Sequence, residues 1–198
     1  MATLTKKESE VLLALFKDFN NDYNANSISK QIKITPRGAL KVLKNLEKEK
    51  LLKSKKFGKA VFYKANLEDI YATKTIEALL IREARLKANR WLYEFEDIYK
   101  DAEAVLIFGS IIQNFSQAKD IDVLFVLKKN KYKEIRSFID KKQKILTKPL
   151  HPILQTAKDM KKNLKEKNNP ALLSAVRTGY VLHGYDKIVE IMKNVTSF

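Results

Sequence analysis

The stretch FGSIIQNFSQAKDIDVLFV, residues 108–126, decides how the second half of the chain folds. The apolar run AVLIF at 104–108 leads into it, and DIDVLFVL at 120–127 completes it. Both runs have the composition of buried strands. Gly109 and Ser110 interrupt the first run and allow a tight turn into a short helix. The residues therefore predict a strand, a turn with a short helix, and a second strand.

Two aspartates open the second predicted strand. Asp120 and Asp122 are one residue apart, so the alternation of side chains along a strand places both on one face, about 7 Å apart. Carboxylates in this arrangement can hold a divalent ion weakly. The Gly109-Ser110 turn lets backbone N–H groups approach a phosphate. The pattern predicts a metal site at the aspartates and a nucleotide site at the turn.

The motif in this stretch is a Gly-Ser pair followed, after nine residues, by Asp-x-Asp. It resembles the signature of minimal nucleotidyltransferases in the DNA polymerase beta superfamily. The stretch NNPALLSAVRTGYVLHGYD, 168–186, is similar to the end of such domains, which extends the resemblance over most of 104–192. The resemblance implies a mixed sheet with helices, and Mg²⁺ with ATP or another NTP as cofactors. The implied site residues are Asp120 and Asp122 for catalysis and metal binding, and Gly109 and Ser110 for nucleotide binding.

The family uses a third carboxylate, on the strand after the next helix. That helix is expected in KYKEIRSFIDKKQKI, 131–145, and the strand in TKPLHPILQT, 147–156, which has no Asp or Glu. Its polar candidates are His151 and Gln155, and we interpret His151 as structural because Pro152 keeps it extended. IIQNF also replaces the family's basic, glycine-containing run after Gly-Ser. The site is therefore expected to be incomplete, which argues against transferase activity.

Composition limits the classes of function. The 198 residues include no cysteine, which excludes disulfides and Cys-based zinc sites and fits a reducing interior. Besides His151, the only histidine is His183, which we interpret as a helix-end residue. No apolar run approaches the roughly 20 residues that span a bilayer, and the N-terminus lacks an apolar signal core. We therefore expect a cytoplasmic protein with no membrane partner.

Positive charge is concentrated in two regions. The net charge is +16; residues 28–64 hold twelve basic and two acidic residues, and residues 128–167 hold fourteen and four. Such an excess indicates an anionic partner, a crowded solvated surface, or both. Because both halves of the chain are basic, nucleic acid is one expected partner.

The first 66 residues contain an ordered series of short elements. TKKESEVLLALFKDF predicts a helix with Thr5 in a capping box. SISKQIKI predicts a short helix capped at Asn26 or Ser27, and TPRGALKVLKNLEKEK a longer helix capped by Thr35. LLKSKK and AVFYKA predict a hairpin around Gly58.

This order resembles the winged helix-turn-helix of bacterial and archaeal repressors over about residues 4–66. The resemblance implies that the 35–49 helix lies in the major groove of double-stranded DNA and that the 51–64 hairpin is the wing. The implied DNA-binding residues are Thr35, Arg37, Lys41, Lys44, Lys55, Lys56 and Lys59. Lys50 stands where many such repressors have a glycine. Lysines predominate, so phosphate contact should exceed base readout. A solvated helix face or a protein-binding module is the alternative.

The segment 72–101 contains no Gly or Pro and predicts a long helix with an apolar stripe. The stripe includes Ile76, Leu79, Leu80, Leu86, Trp91, Leu92 and Phe95. Such a helix either forms a homodimer or packs within its own chain, and both interpretations stay open. The predicted domains are a winged helix-turn-helix at 1–70, a connecting helix at 71–101 and a nucleotidyltransferase-like domain at 102–198.

Together these patterns predict an α/β (α+β) protein with an N-terminal winged helix-turn-helix and a C-terminal nucleotidyltransferase-like mixed sheet with helices. We expect a DNA-binding transcriptional regulator or nucleoid-associated protein whose second domain is degenerate. The alternative is an active Mg²⁺-dependent nucleotidyltransferase, moving NMP from NTP to RNA or to a toxin-like protein partner, as the resemblance to antitoxins of related form implies. The two differ in whether a third acid reaches Asp120 and Asp122.

Overall fold

The computed structural model describes residues 4–196, and the contacts within it divide the chain into two units. The first unit extends to Leu79 and also includes Thr196, and the second is Leu80–Val195. The boundary lies inside a helix. Within residues 4–196, no helix is both long enough and apolar enough to cross a membrane.

The first unit begins with three helices and a hairpin, in the predicted order, and ends inside a fourth helix. The elements are α1 (Lys6–Lys17), α2 (Ala25–Ile32), α3 (Pro36–Lys48), β1 (Leu52–Phe57) and β2 (Ala60–Ala65). The capping box at Thr5 is confirmed, and the Thr35 hydroxyl accepts from the Gly38 N–H at 3.1 Å. Helices α1 and α3 pack on one another and on the hairpin, which gives the unit the architecture of a winged helix-turn-helix.

The predicted cap of α2 is wrong by two or three residues. Asn24 caps the helix: its side chain accepts from the Ser27 N–H at 2.9 Å, and the Ser27 hydroxyl accepts from the Asn24 N–H at the same distance. Tyr23, just before the cap, is buried and forms a β-bridge with Tyr63 of β2. The bridge holds the residue just before α2, and the local Asn24–Ser27 capping box sets where the helix begins.

Lysine occupies the left-handed position that ends α3. Lys50 has φ of 60°, its N–H donates to the Glu47 carbonyl, and the Leu51 N–H donates to the Leu46 carbonyl. These two bonds form a Schellman motif, in which glycine is the usual residue at the left-handed position. The helix therefore ends with the geometry that a glycine usually provides, at some cost in backbone strain.

The predicted continuous helix across 72–101 is wrong. Helix α4 (Ile70–Lys87) stops before Ala88, and a short helix α5 (Asn89–Glu94) and a 3₁₀ turn (Glu96–Ile98) follow. Trp91, Phe95 and Ile98 are buried in the core of the second unit. Burying these three side chains against the sheet favours a bent path over a straight helix, because apolar burial outweighs helix propensity.

The second unit is built on a four-stranded mixed sheet, which confirms the predicted fold class. Its elements are β3 (Ala102–Phe108), β4 (Ile121–Leu127), α6 (Tyr132–Gln143), β5 (Leu150–Thr156), α7 (Ala157–Glu166), α8 (Pro170–Thr178), β6 (Tyr180–His183) and α9 (Tyr185–Lys193). The strand order is β5-β4-β3-β6, and only β4 and β5 are parallel. Helix α6 supplies the crossover that a parallel pair requires.

Aromatic residues pack on one face of this sheet. Phe95 contacts Trp91, Phe125 and Phe138, with ring centroids 6.0–6.2 Å apart.

His183 is the last residue of β6, so its interpretation as a helix-end residue is wrong. Its ring stacks on Tyr99 with centroids 4.7 Å apart. Burial lowers the pKa of His183, and the nearby Lys128 lowers it further.

Candidate metal centre and nucleic-acid interface

The predicted turn and aspartates meet at one end of the second unit's sheet. Asp120 directly precedes β4, Asp122 is its second residue, and Phe108 at the end of β3 pairs with Asp122. Ser110 begins a short 3₁₀ helix, as the Gly-Ser turn predicted. Both aspartates are partly exposed, so their carboxylates can reach a solute at this end of the sheet.

His151 completes a three-residue cluster that the sequence interpretation missed. It is the second residue of β5 and pairs in register with Asp122 on the parallel strand β4. Its Nδ1 lies 3.0 Å from Asp122 Oδ1. Potential ligand atoms of Asp120, Asp122 and His151 all lie within 4.8 Å of one another. The signal was present in the sequence, because His151 lies on the predicted strand that follows the helix after the aspartates.

Gly109 is required by the packing of Asp122. Its φ is 78°, which a side chain rarely tolerates, and a Cβ built on it would lie 2.0 Å from Asp122 Oδ2. One carboxylate oxygen thus packs against Gly109 while the other faces His151. The need for glycine at this turn is accounted for by its backbone conformation and by the carboxylate, without any nucleotide.

The loop between Ser110 and Asp120 is held by an aromatic and cation cluster. The Arg90 guanidinium lies 4.5 Å from the centroid of the Phe115 ring, and Lys148 Nζ lies 5.3 Å from it. Lys148 also donates to the Ala118 carbonyl. Cation–π contacts of this kind are worth about 0.5–1 kcal/mol at exposed sites. Arg90 and Lys148 therefore fix the loop that leads into the aspartates, and neither residue belongs to the cluster of Asp120, Asp122 and His151.

The other polar residues considered near β5 serve α7. The Thr156 hydroxyl donates to Asp159 Oδ2 at 2.7 Å and accepts from the Asp159 N–H at 3.2 Å, which caps this helix. Gln155 accepts from the Asn163 side chain. Thr156 lies five residues after His151 on the strand, a distance of about 16 Å. Asp159 therefore lies beyond the far end of β5 and does not supply a third acid.

In the first unit, the predicted DNA-binding residues lie on exposed surface. Ala39, Leu43 and Leu46 bury one face of α3, and the opposite face is open. All the predicted contacts are exposed. On α3 and its cap they are Thr35, Arg37, Lys41 and Lys44, and on the hairpin they are Lys55, Lys56 and Lys59. Within residues 4–196 none of these basic side chains forms an ion pair with a carboxylate. Their charges therefore remain available to an anion.

A groove joins α3 to the hairpin. Its volume is about 430 Å³, and Lys44 of α3 and Lys59 of the hairpin both line it. Exposed Leu40, the start of α2 at Asn24–Asn26, and Ala60, Val61 and Tyr63 of β2 complete the lining. The two elements predicted to contact DNA thus present lysines to one concave surface.

The predicted dimer stripe is mostly buried within the single chain. Ile76, Leu79 and Leu80 are at most 9% exposed, whereas Leu86 is 72% exposed. Of these four side chains, only Leu86 is available to a second copy. The helix therefore lacks the continuous exposed apolar surface on which the predicted homodimer was based. The homodimer stays a prediction.

These features define a two-unit α+β protein: a winged helix-turn-helix with a basic groove, and a mixed-sheet unit with an Asp-x-Asp and histidine cluster. No protein-family model matches the chain, and no curated protein matches it significantly. Among solved structures, the chain is similar to ZitR, a zinc-responsive MarR family member from Lactococcus lactis. The identity is 20%, the TM-score is 0.34, and the match covers 50% of this chain and 63% of that one. Two mutant forms of ZitR match at 18–19% identity with the same TM-score. The match spans less than two thirds of ZitR, and the zinc response is a property of ZitR.

Proposed function

We propose that this protein binds double-stranded DNA through α3 and the β1–β2 hairpin, as a transcriptional regulator or nucleoid-associated protein of the cytoplasm. The observation that carries the proposal is the groove in which Lys44 and Lys59 face the same space. A winged helix-turn-helix places its third helix in the major groove and its hairpin along the backbone. On this proposal, the exposed lysines of both elements contact phosphates of the duplex.

Lysine-dominated contact favours affinity over sequence selectivity. Arg37 is the only arginine among the predicted contacts, and the rigid fork of a guanidinium suits bidentate recognition better than the point charge of a lysine. Phosphate contacts fix the orientation of the protein on the duplex but carry no sequence information. Binding should therefore tolerate many sequences and fall steeply with salt, because each neutralised phosphate releases counterions.

The test is fluorescence anisotropy on labelled duplexes of several sequences. The double variant Lys41→Glu, Lys44→Glu should weaken binding on every duplex. The control reverses two other exposed lysines of the same unit, Lys6→Glu and Lys74→Glu, on α1 and α4. Both variants change the net charge equally, so a difference between them reports the position of the charge. Equal affinities for the two double variants would reject α3 as the DNA-contacting helix.

A second candidate function belongs to the mixed-sheet unit. The order of its strands, the Gly-Ser turn and the Asp-x-Asp pair support a nucleotidyltransferase-like domain, and the convergence of Asp120, Asp122 and His151 favours metal binding there. A nucleotide would bring its phosphates to the Gly109-Ser110 turn and share the ion with the aspartates. Mg²⁺ and ATP or another NTP are the proposed ligands.

Binding without transfer is the proposed activity of this unit. A two-metal transfer needs carboxylates to hold both ions and to activate the attacking hydroxyl. Here the third position is a histidine, and Asp159 is committed to capping α7. Incubation with labelled ATP and the other NTPs should give retention of nucleotide but no label on the protein, on RNA or on a toxin-like partner. Label transferred by the native chain and lost in Asp120→Asn, Asp122→Asn would establish the enzyme alternative.

A further inference from the structure

We infer that Asp120, Asp122 and His151 form a site for a divalent transition metal such as Mn²⁺, Co²⁺ or Zn²⁺, in preference to Mg²⁺. This inference rests on the proposed metal site of the mixed-sheet unit and specifies its ion. It differs from what the resemblance implies, because a carboxylate set would favour Mg²⁺.

The backbone brings the three ligands together without any side chain having to move far. Asp122 and His151 are register partners on adjacent parallel strands, and the Ile121 N–H donates to the Pro149 carbonyl at 2.9 Å, which extends the ladder before β5 begins. Asp122 is further fixed by Gly109, against which its Oδ2 packs. The carboxylate and the imidazole are therefore placed by the sheet itself, and sites built on strands hold their geometry better than sites on loops.

The donor atoms decide the class of ion. Mg²⁺ prefers six oxygen ligands in an octahedral arrangement and releases its waters reluctantly. A neutral imidazole nitrogen suits the borderline ions, and first-row affinity for mixed nitrogen and oxygen sites rises from Mn²⁺ towards Cu²⁺. Replacing a third carboxylate by His151 removes one negative charge and one oxygen, and both changes weaken Mg²⁺ more than a transition metal.

Three protein ligands leave room for an outside ligand. Structural zinc sites are usually closed by four protein ligands, whereas sites with three keep a position for water or substrate. The His151 side chain is 70% exposed and that of Asp122 is 20% exposed, so the open side of the cluster faces solvent. An anionic oxygen, such as one of a phosphate group, is the kind of ligand that this position would take.

Metal selectivity is tested on the full chain, free of any histidine tag, by titration with Co²⁺ and Zn²⁺ against a chromogenic chelator and by competition with Mg²⁺. Co²⁺ also reports its ligands through its visible absorption. The chain has two histidines, so His183→Gln is a matched control for His151→Gln. A further variant, His151→Asp, restores an all-carboxylate set at an exposed position.

We expect one Co²⁺ per chain, displaced by Zn²⁺ and not by Mg²⁺ at equal concentration. His151→Gln should weaken Co²⁺ binding by more than the roughly 10- to 100-fold that loss of a ligand's hydrogen-bond partner causes. His183→Gln should leave it unchanged, and His151→Asp should raise Mg²⁺ affinity while lowering that for Co²⁺. Thermal melts of each variant confirm that the fold is retained.

The outcomes separate the inference from the function on which it rests. Equal competition by Mg²⁺, or Co²⁺ affinity unchanged in His151→Gln, would overturn the inference even if Asp122→Asn abolishes binding. Absence of any divalent ion on the native chain would overturn the metal site as well. Co²⁺ bound through His151 with no retention of ATP would leave the inference standing and reject only the nucleotide-binding proposal.

Discussion

The carboxylate of Asp122 occupies the space that a side chain at residue 109 would need. A Cβ on Gly109 would lie 2.0 Å from Asp122 Oδ2 and 3.0 Å from its Cγ. The same carboxylate faces His151 through its other oxygen, at 3.0 Å. The turn after β3 and the first residues of β5 therefore hold Asp122 from two sides, and a change at either contact should alter the candidate metal centre.

Gly109→Ala should both destabilise the second unit and displace Asp122. At φ 78° and ψ −155° the backbone of Gly109 lies in a region essentially restricted to glycine, so a residue with a Cβ loses on the order of 1–3 kcal/mol there, and the contact with Oδ2 adds to this. The single tryptophan, Trp91, is buried in this unit, so its fluorescence follows urea unfolding there.

Gly58→Ala is the matched control for that experiment. Gly58 has φ of 58°, but a Cβ on it would meet no atom within 4 Å. It lies in the first unit, so its unfolding is followed by far-UV circular dichroism. The loss of stability should be smaller there and Co²⁺ affinity unchanged. An equal loss in both variants, with metal affinity intact in Gly109→Ala, would contradict the proposed contact.

Lys50→Gly should stabilise the first unit. Removing a side chain from a left-handed residue regains about 1–2 kcal/mol, and the greater freedom of glycine in the unfolded chain offsets about 0.5–1 kcal/mol of that. A net gain of about 0.5–1 kcal/mol is expected in urea unfolding followed by circular dichroism. Lys48→Gly, inside the last turn of α3, should instead be destabilising. A loss of stability in Lys50→Gly would contradict this expectation. It would show that the lysine side chain adds more to the free energy of unfolding than the left-handed backbone conformation takes away.

Acid should destabilise the second unit through His183. Burial lowers its pKa below the ordinary value of 6.5, so below that pH the unfolded chain takes up a proton that the folded unit resists. The contribution of neutral His183 to the free energy of unfolding is therefore complete above pH 6.5, and it declines as the pH falls towards the lowered pKa. His183→Gln should flatten this part of the pH profile of Trp91-detected unfolding. A profile that keeps its slope in the variant would assign the effect to other groups.

The second basic region should contribute to DNA binding. Lys133, Lys141 and Lys144 of residues 128–167 are exposed. Changing all three to Gln should reduce the slope of log affinity against log salt by up to about 0.9 for each phosphate that these lysines neutralise. Changing Lys6 and Lys74 to Gln provides the comparison. An unchanged slope in the triple variant would mean that this region is only a solvated surface.

Local pattern determined most elements of this protein. Thr5 and Thr35 start their helices as predicted because a side-chain cap acts within three residues of itself. Apolar spacing on α3 likewise accounts for the buried face of Ala39, Leu43 and Leu46, since a helix repeats every 3.6 residues. The two strands around Gly109 and the mixed α/β class also followed from sequence. Each of these features depends on residues that are close together along the chain.

Contacts between distant residues decided the rest. Burial of Trp91 and Phe95 in the core of the second unit favoured an end of α4 at Lys87, against a local preference for continued helix. His151 and Asp122 are 29 residues apart, and only the parallel register of two strands brings them to 3.0 Å. A one-residue shift of that register would turn His151 to the opposite face of the sheet. Sequence could name the histidine as a candidate, but only strand pairing makes it a neighbour of the aspartates.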